Sequence, residues 1–256
     1  MTTIDEAQAA AMRPRREILK SQEWETFGAL GTPQQRGVPP PPITKPAPPD
    51  APRVDLVPPA QFTSGQMPLL QAINKRRSRR VFKPAALTLE ELSFLLWACQ
   101  GVEKVANEVR AFRTVPSAGC RHPFETYVLA NRVEGMAPGL YRYLPVEQQL
   151  CLVNADPGIA EAVHIAGEEQ YVLGSAATFV CTVIPYRTEW RYQHHSHRVI
   201  LMDIGHACQN LYLAAESIGC GTCALAAYDQ AKMDAALGVD GEEEFAVYLA
   251  PVGRVL

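Results

Sequence analysis

The dense prolines near the N-terminus limit the possible local structure more strongly than any other feature of the sequence. Between residues 38 and 59 they are too dense for a regular helix or strand, because proline fixes φ and lacks a backbone donor. We therefore predict an extended, polyproline-like arm, preceded by an amphipathic helix over residues 4–24 that Pro14 interrupts. The arm is either a strap lying over a folded body or a ligand for a proline-recognising domain. We favour the strap, and assign residues 1–60 to helix and arm and residues 61–256 to the body.

Composition limits the classes of protein that remain. The chain has 256 residues, of which 47% are hydrophobic and 20% charged, as is ordinary for a globular protein. A formal net charge of -3 gives no reason to expect nucleic acid as a partner, and no apolar run is long enough to span a membrane. The N-terminus does not have the pattern of a secretion signal, so we predict a cytoplasmic protein with no membrane partner. The odd number of cysteines, seven, indicates reduced thiols rather than a disulfide framework.

Helix and strand patterns follow one another in an irregular order along the body. Helix patterns cover residues 68–73, a segment from the N-cap Thr88 to Gly101, and residues 199–218, where apolar residues beyond one stripe predict burial on several sides. Strand patterns cover residues 124–130, 139–143, 149–153, 176–184 and 244–250. This order favours an α+β fold, a sheet sandwiched by helices, over a doubly wound one.

Motifs of common catalytic sites are absent from the sequence or stand in the wrong context. No P-loop and no Gly-x-Ser-x-Gly elbow is present. Residues 219–224 match the dinucleotide pattern G-x-G-x-x-A, but they leave a helix instead of a strand, so we exclude a Rossmann site. Because no nucleophile or base stands out, a cofactor is expected to carry any chemistry.

Two groups of cysteine and histidine side chains are candidates for redox chemistry or for metal binding. Cys220 and Cys223 form a possible redox pair, although a glycine-rich helix exit explains them as well. His194, His195 and His197 lack the acidic or cysteine partners of a metal site at ligand spacing, so no metal is predicted.

A dense cationic run is the strongest candidate for a binding site. Residues 75–80 contain five cations around Ser78, on a chain that is slightly acidic as a whole. Guanidinium groups bind phosphate oxygens two at a time, and the serine hydroxyl adds a short donor. The run is therefore a candidate pocket for the phosphate of a cofactor, and a solvated basic turn is the alternative.

Four motifs in order resemble the nitroreductase-like FMN enzymes, and look closest to their SagB-type dehydrogenase branch. They are residues 76–82 (RRSRRVF), 116–119 (PSAG), 138–143 (PGLYRY) and 203–216 (DIGHACQNLYLAAE), within a match that covers about residues 67–256. The resemblance implies a mostly antiparallel central sheet flanked by helices. It also implies an intertwined homodimer with FMN at the subunit interface and the long helix near the dimer axis.

The resemblance also implies roles for individual residues. In such enzymes the basic run holds the FMN phosphate and the nearby ribityl chain, a later basic residue reaches the phosphate, a proline-serine loop packs on the flavin ring, and a further segment offers backbone contacts near its reactive edge. Carried over by position, the cofactor-binding residues are Arg76, Arg77 (partly through its backbone), Ser78, Arg80, Pro116, Ser117, Ala118, Gly119, Leu225, Ala226, Ala227 and Arg254.

The expected activity is that of an FMN-dependent oxidoreductase, which passes hydride from NAD(P)H through the flavin to a small organic acceptor such as a nitroaromatic or a quinone. Azoline-oxidising members of the branch carry a Lys-Tyr pair for proton removal, where this chain has Arg191 and Tyr192. Arginine is a poor base, so these two residues are candidates for orienting the substrate, and no catalytic side chain is assigned. The alternatives are a SagB-type dehydrogenase that oxidises a peptide or heterocyclic substrate, and a flavin-binding protein without turnover.

Overall fold

The computed structural model describes residues 5–21 and 24–255 of the protein. Its α-helices are α1 (Glu6–Met12), α2 (Leu69–Lys75), α3 (Leu89–Gln100), α4 (Ile159–Ala166), α5 (Tyr186–Tyr192), α6 (Ser196–Ser217) and α7 (Gln230–Leu237). Its strands are β1 (Arg53–Asp55), β2 (Val102–Asn107), β3 (Arg110–Arg113), β4 (Phe124–Ala130), β5 (Gly139–Leu144), β6 (Gln149–Asn154), β7 (Ala177–Val183), β8 (Cys220–Thr222) and β9 (Phe245–Arg254). None of the described helices combines the length and the apolar composition needed to cross a membrane.

Seven of these strands form one sheet. Their order is β1-β6-β5-β4-β7-β9-β8, and each neighbouring pair is antiparallel. β2 and β3 form a separate antiparallel hairpin. The expected α+β fold with a mostly antiparallel central sheet is confirmed.

The middle strand β4 shows how the core is divided between the two faces of the sheet. All seven of its residues are buried, and they alternate in direction as strand residues do. Val128 and Ala130 pack with residues of α3 and α6, whereas Tyr127 and Leu129 pack with residues of α4 and α7. Both faces of the sheet are therefore covered by helices, and α6 is buried along much of its length.

The longer elements agree with the patterns in the sequence. α3 begins with a capping box, in which Glu91 N donates to Thr88 Oγ1 (3.2 Å) and Thr88 N donates to the Glu91 side chain (2.9 Å), and the helix ends before Gly101. α6 spans the predicted long helix. The shorter helices α4, α5 and α7 and the β2–β3 hairpin were not predicted. The three helices have seven or eight residues, which gives few turns for a helical period, although the equally short α2 was predicted.

The N-terminal helix is shorter than the pattern over residues 4–24 suggests. α1 ends at Met12, and 3-10 turns follow at Pro14–Leu19 and Trp24–Ala29. Pro14 therefore ends the helix, since a proline ring within a helix clashes with the preceding turn. Residues 4, 22 and 23 of the predicted helix lie outside the described residues.

Strand formation around prolines differs from the prediction at two places. β1 lies within the proline-rich arm and pairs with β6 at the edge of the sheet, so the exclusion of that arm from the sheet was wrong there. An edge strand needs partners on one side only, which is where proline-flanked strands occur. β9 continues past residue 250, because Val252, Gly253 and Arg254 pair with β8 beyond Pro251.

The rest of the arm lies against the body and is attached to it by a buried charge network. Arg142 and Arg187 form ion pairs with Glu125 (3.0 and 2.6 Å), and all three side chains are buried. Arg142 also donates to the carbonyls of Lys45 and Pro46 (both 2.8 Å), while Lys45 N donates to Glu125 (2.9 Å). Burial alone would raise the pKa of Glu125, but the two guanidinium groups hold it below its ordinary value.

We predict that Glu125→Gln lowers the free energy of unfolding at pH 7 by about 3–5 kcal/mol, because it leaves two buried guanidinium groups without an anion. A carboxyl group whose pKa is lower in the folded than in the unfolded protein stabilises the fold at pH values above its unfolded-state pKa. That stabilisation is lost as the pH falls through the folded-state pKa. The variant should therefore lose less stability than the wild type between neutral pH and acid pH. Urea unfolding at a series of pH values measures both effects, and parallel curves for the two proteins would contradict the ion-pair assignment.

Candidate functional site

The basic run crosses closely over the end of the sheet. After α2 the chain passes beside β8, where Arg79 N donates to the carbonyl of Thr222 (2.9 Å), and then beside β9, where Lys83 N donates to the carbonyl of Arg254 (2.9 Å). Gly221 and Gly253 are opposite each other on these two strands.

The two glycines make this close crossing possible. A Cβ atom at Gly221 would overlap the first side-chain carbons of Arg79, and one at Gly253 would lie 2.8 Å from Phe82 Cγ. Any larger residue at either position would push the basic run away from the sheet.

Among the described residues, the cations of the run have no acidic partner. No carboxylate of the described residues forms an ion pair with Lys75, Arg76, Arg77, Arg79 or Arg80. A pocket of about 240 Å³ opens beside them and is lined by Ser78, Arg79, Arg80, Val81 and Val255. A concave surface lined by the two guanidinium groups of Arg79 and Arg80 and by the Ser78 hydroxyl suits a phosphate.

Tyr212 on α6 connects the run to the segment after β8. Its hydroxyl lies 3.1 Å from Ser78 Oγ and accepts a hydrogen bond from Ala224 N (2.9 Å). The guanidinium of Arg76 lies over its ring, 5.2 Å from the centroid. Sequence reasoning assigned Tyr212 no role, although it lies within one of the motifs, because a tyrosine in a mostly apolar helix pattern is usually a core residue.

The predicted segment 225–227 continues from this point. Leu225 is buried and exchanges backbone hydrogen bonds with Leu249 of β9 (2.7 and 3.0 Å). Ala226 and Ala227 are exposed, and the carbonyl of Ala227 accepts from Gln170 (3.0 Å). Their small side chains leave the backbone of this segment accessible.

Arg254 is near the run through its backbone, but its side chain has other partners. Its guanidinium donates to Glu91 (2.5 Å) and to the carbonyl of Ile218 (2.7 Å). Partial burial would lower the pKa of Arg254, yet the bond to Glu91 raises it above its ordinary value. Its contact with a phosphate therefore stays a prediction.

The proline-serine loop is fixed on the same long helix by Asp203. The Asp203 carboxylate accepts from Ser117 Oγ (2.6 Å) and from Ala118 N (3.0 Å). Burial raises the pKa of Asp203, and these two hydrogen bonds oppose that shift. Asp203 lies nine residues before Tyr212, about 14 Å along the helix axis, so α6 holds both parts of the predicted site.

Gly119 in this loop touches both residues that were predicted to orient a substrate. It has a φ of +60°, and a Cβ atom there would lie 2.6 Å from the Tyr192 hydroxyl and 2.7 Å from Arg191 Cδ. Glycine is required for the left-handed backbone and for the close approach alike. The structure thus brings Gly119 together with Arg191 and Tyr192, which lie 72 and 73 positions further along the sequence.

The cysteine and histidine groups have no site geometry of their own. Cys220 and Cys223 are buried, and burial raises the pKa of Cys220 to about 12, so little thiolate forms at neutral pH. Within residues 5–21 and 24–255 no group of three or more histidine, cysteine or acidic side chains is arranged to hold a metal ion.

Comparison with known proteins places this chain in one family. The model of the nitroreductase family matches residues 73–254. A Methanocaldococcus jannaschii protein that carries a nitroreductase name (MJ1384) is 33% identical over 190 residues, which is 74% of this chain and 92% of that protein. The trifolitoxin-processing protein TfxB of Rhizobium leguminosarum bv. trifolii is 28% identical over 155 residues, which is 53% of this chain but only 39% of TfxB.

Solved structures have the same fold. A Ralstonia eutropha protein with a nitroreductase name is 25% identical, with a TM-score of 0.66, over 85% of this chain and 99% of that one. The Escherichia coli microcin synthetase complex McbBCD, with truncated pro-MccB17 bound, contains a chain that is 17% identical, with a TM-score of 0.59, over 100% of this chain and 99% of that one. A Desulfovibrio desulfuricans protein with a nitroreductase name, in complex with FMN, is 19% identical, with a TM-score of 0.50, over 74% of this chain and 87% of that one.

The family match covers both the basic run and the loop that contacts Arg191 and Tyr192. The chain belongs to the nitroreductase family and is an FMN-dependent oxidoreductase.

Proposed function

We propose that the protein transfers reducing equivalents from NAD(P)H to a small organic acceptor, such as a nitroaromatic or a quinone, with FMN bound beside the basic run. The observation that carries this proposal is the set of uncompensated cations that crosses the paired glycines Gly221 and Gly253. Additional support comes from the names of relatives, which refer to nitroreductases and in one case to an FMN complex.

The residues present fit the phosphate end of FMN. Arg76 and Arg80 would supply charge, Ser78 would donate a short hydrogen bond, and Arg77 would contribute through its backbone. Arg77 is suited to a backbone role, because its guanidinium donates to the carbonyls of Asn74 (3.0 Å) and Arg76 (2.8 Å). The buried hydroxyl of Thr222, which has no hydrogen-bond partner in the described chain, lies on the strand beside this run.

The ring end would be held by backbone and small side chains. The loop from Pro116 to Gly119 offers a surface that Asp203 keeps in place, and the segment from Leu225 to Ala227 offers backbone groups. When bound, FMN supplies the hydride chemistry that no side chain of the protein can provide.

Arg191 and Tyr192 would orient the acceptor. Both touch Gly119, so a substrate stacked against that loop would be within reach of a cation and of a phenol. Arginine stays protonated at neutral pH and can stabilise negative charge on an acceptor, but it does not remove a proton.

The protein is further proposed to be a homodimer. Leu69, Leu70 and Ile73 on α2 and Leu201 on α6 are each more than half exposed, and Met202 is nearly half exposed. α2 packs against α6, and exposed apolar side chains on two such helices are typical of an interface. A second subunit would cover them and would bring its own loop or helix near the flavin, as the family resemblance implies.

A second candidate function is the oxidation of a heterocycle in a peptide, as in the SagB-type branch. It is favoured by the similarity to TfxB, whose name refers to trifolitoxin processing, and by the full-length overlap with a chain of the microcin synthetase complex. The lack of a lysine beside Tyr192 counts against it, because the expected proton acceptor is missing.

The first experiment tests turnover. Purified protein, reconstituted with FMN, should be yellow, should bleach when NADH or NADPH is added without oxygen, and should regain its colour with a nitroaromatic or quinone acceptor. Stopped-flow absorbance of the flavin measures both half-reactions. A yellow protein that neither nicotinamide bleaches would contradict the proposed reductant and favour peptide oxidation or a carrier role.

A second experiment tests the phosphate site. Arg76→Ala combined with Arg80→Ala should lower FMN affinity by about a hundredfold or more, because each charge-assisted hydrogen bond contributes about 1.5–3 kcal/mol. Fluorescence titration with FMN measures the affinity, and circular dichroism checks the fold. Arg15→Ala with Arg16→Ala removes the same charge elsewhere and should leave the affinity unchanged; equal affinities for both double variants would remove the phosphate assignment.

A third experiment tests the dimer. Leu70→Glu with Ile73→Glu should produce a monomer that has lost most of its FMN, because charged side chains do not tolerate burial at an interface. Light scattering after gel filtration gives the mass. Ile165→Glu with Val146→Glu alters two exposed apolar residues elsewhere and should keep the mass of the wild type; a wild type that is already monomeric would refute the proposal.

A further inference from the structure

A segment outside the family match covers the two predicted substrate-orienting residues. We call residues 24–38 the N-terminal wall; the nitroreductase model matches only from residue 73 onward. The C-terminal half of the wall is attached to the chain around α5 by three hydrogen bonds. Gln34 N donates to the carbonyl of Trp190 (3.0 Å), Trp190 Nε1 donates to the carbonyl of Val38 (2.8 Å), and Gln193 donates to the carbonyl of Gly31 (3.4 Å).

Gln34 is the wall residue that fixes Arg191. Its side-chain oxygen accepts a hydrogen bond from Arg191 Nη1 at 2.8 Å. The Nε atom of Arg191 is buried and has no hydrogen-bond partner within the described residues, while its Cδ and Nε lie against Gly119. The guanidinium is therefore held from one side by the wall and faces the loop on the other.

The aromatic residues of the wall fix Tyr192 in the same way. The rings of Trp24 and Phe27 lie 5.9 and 5.7 Å from the ring of Tyr192, and Trp24 also stacks on His195 at 4.7 Å. Pairs of this kind restrict ring orientation as well as burying apolar area. The Tyr192 hydroxyl is thereby placed next to Gly119.

We propose that the N-terminal wall is part of the acceptor site and determines its specificity, with Gln34 as the positioning residue for Arg191 and Phe27 as that for Tyr192. This inference rests on the proposed function, since it assigns the wall to the substrate side of the flavin. A different wall on the same family fold would then give a different acceptor range, without any change in the residues that hold FMN.

The test separates positioning from folding. Gln34→Ala should raise the KM for a quinone or nitroaromatic acceptor about fivefold to tenfold and change kcat by less than about twofold, because it releases a group that orients substrate without altering the flavin site. Gln34→Glu keeps an acceptor for Arg191 and should restore most of the KM. Phe27→Leu keeps the wall apolar and should change the ratio of kcat/KM between a small and a bulky acceptor.

Gln61→Ala removes an exposed glutamine just beyond the proline-rich arm and serves as the matched control. FMN content should be unchanged in every variant, and circular dichroism should show the wild-type fold. The inference is overturned if Gln34→Ala keeps the wild-type KM for all acceptors, or if its FMN content and Tm fall together with its activity. A wild type that does not turn over at all refutes the proposed function itself, an outcome visible before any variant is made.

Discussion

The close crossing of the basic run over the paired glycines is the contact on which the rest of the site depends. Gly221 and Gly253 have no side chains, so the backbone of the run approaches near enough to bond with Thr222 and Arg254. These backbone bonds fix the direction of the run, which a set of flexible arginine side chains could not do by itself. The cations are thus grouped on a rigid edge of the sheet, and a site placed on rigid elements binds with less loss of entropy.

Grouping like charges has an electrostatic cost that the fold does not offset within the described chain. Two other sites of the protein pair their charges closely: Glu125 has two guanidinium partners, and Arg254 has Glu91. Between residues 75 and 80 no such partner occurs among the described residues, so mutual repulsion remains until an anion binds. A bound anion would relieve this repulsion, which is the electrostatic argument for a binding role over a solvated basic turn.

Sequence patterns were sufficient for the long elements and for the family, but not for the contacts between distant segments. The helix after Thr88 and the strand from Phe124 carry local signals, a capping box and a buried β-rich run, and both formed as predicted. β1 was missed because three residues between prolines have no period of their own and pair only when β6 offers an edge. The contact of Gly119 with Arg191 and Tyr192 depends on how α5 packs on the loop, a tertiary relation that no local pattern contains.

The proline-rich arm and the buried arginines explain each other. A proline residue has a carbonyl acceptor but no backbone donor, so an arm rich in proline offers more acceptors than it needs for itself. Arginine has the opposite imbalance, with five donors and no acceptor. Arg113 donates to the carbonyl of Ile43 (3.1 Å), and Arg142 donates to those of Lys45 and Pro46. The arm thus supplies further acceptors to buried guanidinium groups whose other partners are Gln100 and Glu125. These hydrogen bonds hold residues 38–46 in place. Because that segment follows directly after the N-terminal wall, they also fix the end of the wall near Gln34, the partner of Arg191.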